Sequence, residues 1–254
     1  MSEFQLLIII RRSIKVDLNM IGCKSGTRVW RVTNTTMTNI TENNAQKAFE
    51  HLYDRISNKG EWFGNTRALF NVGIQITNPL HNEITTGFRK WNPTYAKREW
   101  DWYCSGNPNA EEIAAKAPIW YQMMDADGNV RSNYGWQWGR EYQLEKVIQM
   151  LRENPETRQA AISIYDGKEI ATYRNDTPCT YAVQFTIREE KLHMSVYMRS
   201  NDLWFGFCND QYCFSLLQKM VADELNREVG TYYHHAHNMH IYDNKLGMNP
   251  KIII

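Results

Sequence analysis

The stretch from Tyr181 to Leu225 constrains the fold more than any other part of the chain. Tyr181 to Ile187 and Leu192 to Tyr197 alternate or are rich in β-forming residues, and the polar Arg188-Glu189-Glu190-Lys191 between them predicts a hairpin turn. Soon afterwards, Tyr212, Phe214, Leu216, Leu217, Met220, Val221 and Leu225 distribute apolar side chains nearly all round a helix. A helix of that kind has no face to offer to water, so it is expected in the core. Two amphipathic helices precede it. One is predicted over Ala45 to Ile56, on Phe49, Leu52, Tyr53 and Ile56. The other runs through Leu144, Val147, Ile148 and Leu151 and stops at Asn154-Pro155, where proline disfavours helix in the residue before it. There is no regular βαβ alternation, so the fold class is α+β. The 254 residues, 43% of them hydrophobic, suit a single domain over residues 1–254 with a sizeable core, the N-terminal residues up to about 40 being left without an assigned role.

With 29 basic against 28 acidic residues, the chain has no global field to gather nucleic acid or an acidic membrane surface, and no obligatory nucleic-acid partner is expected. Cysteines at 23, 104, 179, 208 and 213 are odd in number and form no CxxC pair, which argues against a disulfide framework and a zinc ribbon. A reducing, cytoplasmic setting follows as the expectation. Leu6 to Ile10, cut by Arg11-Arg12, is too short for a membrane span and wrongly flanked for a signal peptide, and reads as a short strand. His234, His235, His237 and His240 have no Asp, Glu or Cys at a familiar ligand spacing, so hydrogen-bonding histidines are expected and no metal. Lys24-Ser25-Gly26-Thr27 lacks the glycine spacing of a P-loop.

Three positions carry side chains suited to chemistry. Cys179, in Thr177-Pro178-Cys179-Thr180, could add to an electron-poor carbon as thiolate if a cation such as Arg199 lowered its pKa from about 8.5; it could equally be a small buried hydrophobe. Arg199-Ser200 combines a planar cationic fork with a hydroxyl donor, a grip for a phosphate monoester, although a structurally paired arginine fits the same residues. Glu99 has aromatic neighbours that could strip its water and raise its pKa towards acid–base use, or it is a surface carboxylate paired with Arg98.

Taken in order, the segments from about Arg98 to Tyr242 resemble the thymidylate synthase family: a catalytic cysteine, a Gln-Phe strand, an Arg-Ser-x-Asp hairpin, a Gly-x-x-x-Asn segment and a His-x-Tyr strand. The resemblance implies a mixed β-sheet with packed helices and a homodimer formed through the sheet. It implies Cys179 as nucleophile, Glu99 and Tyr134 as catalytic residues, and Trp120 and Asp202 on the folate side. The monophosphate would be held by Arg199 and Ser200, with Arg158 reaching in from the second subunit. His240 and Tyr242 would bind the deoxyribose hydroxyl, and Gln184 lies in the Gln-Phe strand on the substrate side. The co-substrate implied is 5,10-methylenetetrahydrofolate and the substrate a pyrimidine deoxynucleoside monophosphate.

Three departures from the family pattern refine this. Asp210 stands where the base-reading asparagine is expected. A carboxyl suits the 4-amino group of cytosine and, when protonated or shared with N3, the ring nitrogen, whereas an ionised one opposes the O4 of uracil at about 1–3 kcal/mol. Thr180 follows the nucleophile in place of histidine, and Phe205-Gly206-Phe207-Cys208-Asn209-Asp210 replaces Leu-Gly-x-Pro-Phe-Asn; both are similar to the phage deoxycytidylate hydroxymethylase branch. That branch implies water, not hydride, as the final nucleophile, 5-hydroxymethyl-dCMP as product and unoxidised tetrahydrofolate. Gln159 replaces a second phosphate arginine, a loss that Arg67 or another residue would have to make good. The alternatives are a dUMP-directed hydroxymethylase or thymidylate synthase, and a non-catalytic nucleotide- or RNA-binding relative.

Overall fold

The computed structural model describes residues 37–169 and 176–249. The strands are β1 (Thr38–Glu42), β2 (Glu61–Phe63), β3 (Thr66–Ile76), β4 (Ala161–Ser163), β5 (Thr180–Arg188), β6 (Lys191–Met198), β7 (Asn201–Asp202) and β8 (Glu228–Tyr242). They form one mixed sheet in the order β1-β3-β8-β6-β5-β4, with β2 added to β3 and β7 to β8. The predicted hairpin is β5–β6, paired from Arg188–Lys191 back to Thr180–Met198. Its two turn residues, Glu189 and Glu190, both have positive φ, at 50° and 60°, the twist a two-residue turn needs to match its strands.

The all-round apolar segment is helix α6 (Cys208–Glu224), which buries Cys213, Phe214, Leu217, Val221 and Ala222. It packs on β6 and β8, and its buried Gln218 donates to the Leu192 carbonyl at 2.8 Å and the Gly230 carbonyl at 3.1 Å, tying the helix to both strands. Helix α1 (Ala45–Lys59) covers β1 and β3 with Phe49, Leu52, Tyr53 and Ile56, as its spacing predicts. The other helices are α2 (Pro93–Cys104), the single turn α3 (Glu111–Ala114), α4 (Tyr134–Gly139) and α5 (Gln143–Glu153). Asparagines start three of them: Asn44, Asn92 and Asn133 each accept from a backbone N–H in the first turn, at 2.9, 3.1 and 2.8 Å. Gly135 lets α4 lie directly against α2, because a Cβ there would fall on the Tyr103 carbonyl.

Alternation divides the sheet. Val183, Phe185, Leu192, Met194, Val196 and Met198 are buried towards α6, while Tyr181, Gln184, Thr186, Ser195 and Tyr197 point to the other face. On that second face Tyr197 stacks on His235 at 4.9 Å and Tyr181 contacts Tyr165 and Tyr197.

Among the described residues no helix is long and apolar enough to cross a membrane, and Cys104, Cys179, Cys208 and Cys213 are free thiols. Leu6 to Ile10, Cys23 and Lys24 to Thr27 lie outside the described residues. Arg67 donates to the Gly60 carbonyl at 3.1 Å and to the Ser57 carbonyl at 2.5 Å, closing the last turn of α1.

Candidate active site

The candidate site gathers where the start of β5, the end of β6 and the N-terminus of α6 converge. Cys179 precedes β5, and its carbonyl accepts from the Arg199 N–H at 2.9 Å, which brings the thiol beside the guanidinium that follows β6. Arg199 donates through Nε to the Pro178 carbonyl (3.2 Å) and through Nη2 to the Thr177 carbonyl (2.8 Å), with Cys179 Sγ 3.7 Å from Nη2. The sequence suggests that this cation lowers the thiol pKa, and its charge does act that way. Burial is larger, however, and together with the nearby Asp210 and Asp176 carboxyls it pushes the thiol up to about 11. Tyr134 stands on the other side, its hydroxyl accepting from the Thr180 N–H at 3.3 Å.

After β7 the chain makes one wide π-type turn (Leu203–Phe207) before α6, an irregularity that re-aims side chains at the head of the helix. Asp202 starts it, with Oδ1 accepting from the N–H groups of Trp204 and Phe205 at 2.8 and 3.3 Å. The turn delivers Asn209 and Asp210 to the pocket. Asp210 Oδ2 accepts from Asn201 Nδ2 at 2.7 Å. Burial first, then the neighbouring Glu99 charge, raises its pKa to about 8.

Glu99 is buried in α2, not paired with Arg98 at the surface. Oε1 accepts from the Tyr103 hydroxyl at 2.8 Å and Oε2 from Asn209 Nδ2 at 3.0 Å. Burial raises its pKa against the opposing effect of Tyr103, Tyr95 and Asn209. Tyr95 and Tyr103, one helical turn to either side, are the rings that hydrogen-bond this carboxyl. That i±4 spacing was the available signal. Trp120 joins the same cluster, its indole N–H donating to the Tyr95 hydroxyl at 2.8 Å.

His240 and Tyr242 end β8 with their rings edge to face at 5.5 Å; His240 Nδ1 lies 2.8 Å from Asn238 Oδ1, and the Asp202 charge opposes the lowering of the His240 pKa by burial. Ser200 is half-buried beside Arg199. Gln184 is not brought to this cluster: it lies on the opposite face of the sheet with its amide on the Phe185 carbonyl at 3.1 Å. Arg158, expected to act from a second subunit, is exposed in the loop between α5 and β4. Asn201 and Asn209, which hold Asp210 and Glu99, carry no mark in the sequence, because a polar partner of an acid leaves no periodic trace. Among the described residues no group of His, Cys, Asp or Glu could hold a metal ion, and the four histidines of β8 do not form one.

A fold of this topology with a thiol, a guanidinium and two acids gathered in one cluster agrees with what sequence comparison finds. The thymidylate synthase family matches residues 47–252, and the chain belongs to that family. It is 36% identical over 147 residues to the deoxycytidylate 5-hydroxymethyltransferase of Enterobacteria phage T4, covering 54% of this chain and 59% of that protein. It is 27% identical over 187 residues to thymidylate synthase 1 of Bacillus spizizenii, covering 70% and 67%. The chain thus spans less than two thirds of the phage relative's length. The structure of thermostable thymidylate synthase A from Bacillus subtilis shares the fold, with a TM-score of 0.63 at 21% identity over 78% of this chain and 80% of that one.

Proposed function

We propose that this chain is a deoxycytidylate 5-hydroxymethyltransferase, converting dCMP, methylenetetrahydrofolate and water into 5-hydroxymethyl-dCMP and tetrahydrofolate in the cytoplasmic nucleotide pool. The observation that carries the reading is Asp210, an acid kept largely neutral at physiological pH by burial and by Glu99, within the influence of the Cys179 thiol. A neutral carboxyl can donate its O–H to N3 of cytosine and accept from the 4-amino group at once.

Cys179 Sγ adds to C6, and the charge that develops on the ring is met at N3 by the Asp210 proton. Arg199 sits beside the sulfur and stabilises the thiolate at the moment of attack; with Ser200 it grips the 5′-phosphate. Methylenetetrahydrofolate supplies the one-carbon unit when bound, and the half-buried Trp120 indole, joined to Glu99 through Tyr95, suits a flat heteroaromatic ring beside that carboxyl, with Asp202 on the same side. Glu99 accepts and returns protons and orients the water that attacks the exocyclic carbon, after which Cys179 leaves as thiol. His240 and Tyr242 hold the deoxyribose. The second face of the sheet, with its row of Tyr165, Tyr181, Tyr197 and His235, is the surface on which a homodimer would form, and Arg158 would then reach the partner's phosphate.

The wider alignment with thymidylate synthases favours a second reading, a dUMP-directed enzyme of the same fold. Trapping tests covalent catalysis itself. Incubation with 5-fluoro-dCMP and methylenetetrahydrofolate should leave a stable adduct on the Cys179 peptide, seen by mass spectrometry. No adduct with any 5-fluoropyrimidine deoxynucleotide would mean a binding protein.

A further inference from the structure

Behind Asp210 runs a line of polar groups that the mechanism above does not use. Asn201 Nδ2 donates to Asp210 Oδ2 at 2.7 Å, Asn201 Oδ1 lies 3.1 Å from His234 Nε2, and His234 Nδ1 lies 2.8 Å from the Tyr232 hydroxyl. His234 and Tyr232 are fully buried and Asn201 is 2% exposed. The line has one favoured polarity. Among the described residues the Tyr232 hydroxyl has no other partner, so if it accepted from His234 its own O–H would be buried without an acceptor, a cost of about 1–3 kcal/mol in general. The hydroxyl therefore donates to Nδ1, Nε2–H donates to Asn201 Oδ1, and the amide must present its NH2 to Asp210. Burial keeps the imidazole neutral, with a pKa lowered to about 3, so it cannot donate from both nitrogens. The Phe207 ring lies edge to face at 5.3 Å from His234. The backbone also closes over the first bond of the line: a Cβ on Gly206 would lie 2.9 Å from Asn201 Nδ2 and 3.1 Å from Asp210 Oδ2.

We infer that Tyr232, His234 and Asn201 form a directional hydrogen-bond relay that fixes the acid proton of Asp210 on Oδ1, and so sets the choice between a 4-amino and a 4-oxo pyrimidine. The inference rests on the reading of Asp210 as the residue that meets the base. A neutral carboxyl offers one donor and one acceptor, and which oxygen carries the proton decides the match. With the proton facing N3, the acid donates to cytosine N3 and accepts from its 4-amino group. With the proton on the other oxygen, it accepts from uracil N3–H and donates to O4. An oxygen that already accepts from Asn201 keeps its carbonyl character, so the relay removes one of the two patterns. The charged groups that act on Asp210, Glu99 and Asp202, favour the neutral form. Asn201, His234 and Tyr232 are positioning residues.

The test is the tautomer of His234 together with the base preference of Tyr232→Phe, a change of nearly constant volume. In wild-type enzyme with 15N-labelled histidine, the spectrum of His234 should be that of a neutral ring protonated on Nε2 throughout neutral pH. In Tyr232→Phe the ring should become a mixture of tautomers. The ratio of kcat/KM for the preferred nucleotide over its 4-amino or 4-oxo counterpart should fall about tenfold, with Cys179 trapping retained. A wild-type ring protonated on Nδ1, or a mixed tautomer in the variant with an unchanged ratio, would overturn the relay. Should the wild type prefer dUMP, the substrate reading fails while the relay still predicts the loss of discrimination, so the two failures are distinct. If Tyr232→Phe does not fold, the wild-type tautomer alone decides.

Discussion

Asn209 Nδ2 donates to Glu99 Oε2 at 3.0 Å, and its neighbour in the first turn of α6, Asp210, is the second acid of the cluster. Glu99 is thus held by Asn209 and Asp210 by Asn201. Burial raises the pKa of Glu99 against its hydrogen bonds, while burial and then the Glu99 charge raise that of Asp210 to about 8.

This raised pKa makes stability depend on pH with a definite sign. Asp210 binds its proton more tightly folded, near 8, than unfolded, near 3.8, so its contribution is fully present below the unfolded value and is lost as pH rises towards 8. Urea denaturation of the free protein should show stability falling over that window, and Asp210→Asn should flatten the slope.

The same substitution should alter chemistry. The introduced amide, held by Asn201 in the sense the relay dictates, would keep a donor and an acceptor where the neutral acid has them but would have no proton to give to N3, so kcat/KM with dCMP should fall by about tenfold or more while dCMP stays preferred over dUMP. Steady-state rates with both nucleotides check this.

Glu99→Gln keeps a side chain able to meet Tyr103 and Asn209 but removes the proton acceptor. Turnover should fall by about 10²- to 10⁴-fold while nucleotide affinity is nearly kept. Rates near wild type would remove Glu99 from proton transfer.

The Cys179 thiol, pushed up to about 11, should alkylate slowly at neutral pH and progressively faster as pH rises towards that value. Arg199→Ala removes the cation that lowers it, and the profile should move to still higher pH. Iodoacetamide kinetics read both effects.

Gly135→Ala would drive a methyl group into the Tyr103 carbonyl and separate α4 from α2. A loss of about 3 kcal/mol or more in unfolding free energy is expected, as for other severe steric lesions. Tyr134 would move with α4, so activity should fall as well.

The elements that could be read from sequence were those with a strong period. The β5–β6 hairpin, α1, α5 and the all-round apolar α6 lie where their spacing places them. Cys179, Arg199, Tyr134, Glu99 and Asp210, read from the ordered motifs between Arg98 and Tyr242, lie near one another in space. What sequence did not reveal was the shell behind them. Asn209 supports an acid 110 residues away, and Asn201 is held by His234, 33 residues on, through contacts that only the register of β7 beside β8 creates. The net pKa of Cys179 was likewise hidden, since it is set by burial outweighing a visible cation. The bonds from Arg67 to the carbonyls at the end of α1 likewise leave no trace in the sequence.

The most direct test of the account is tritium release from C5 of labelled dCMP and dUMP, run in parallel with methylenetetrahydrofolate and followed by mass analysis of the nucleotide. The account predicts release from dCMP, dependent on Cys179, with a hydroxymethyl group on the product. Release from dUMP alone would contradict the assignment of Asp210, and the added mass, methyl or hydroxymethyl, would then identify the reaction.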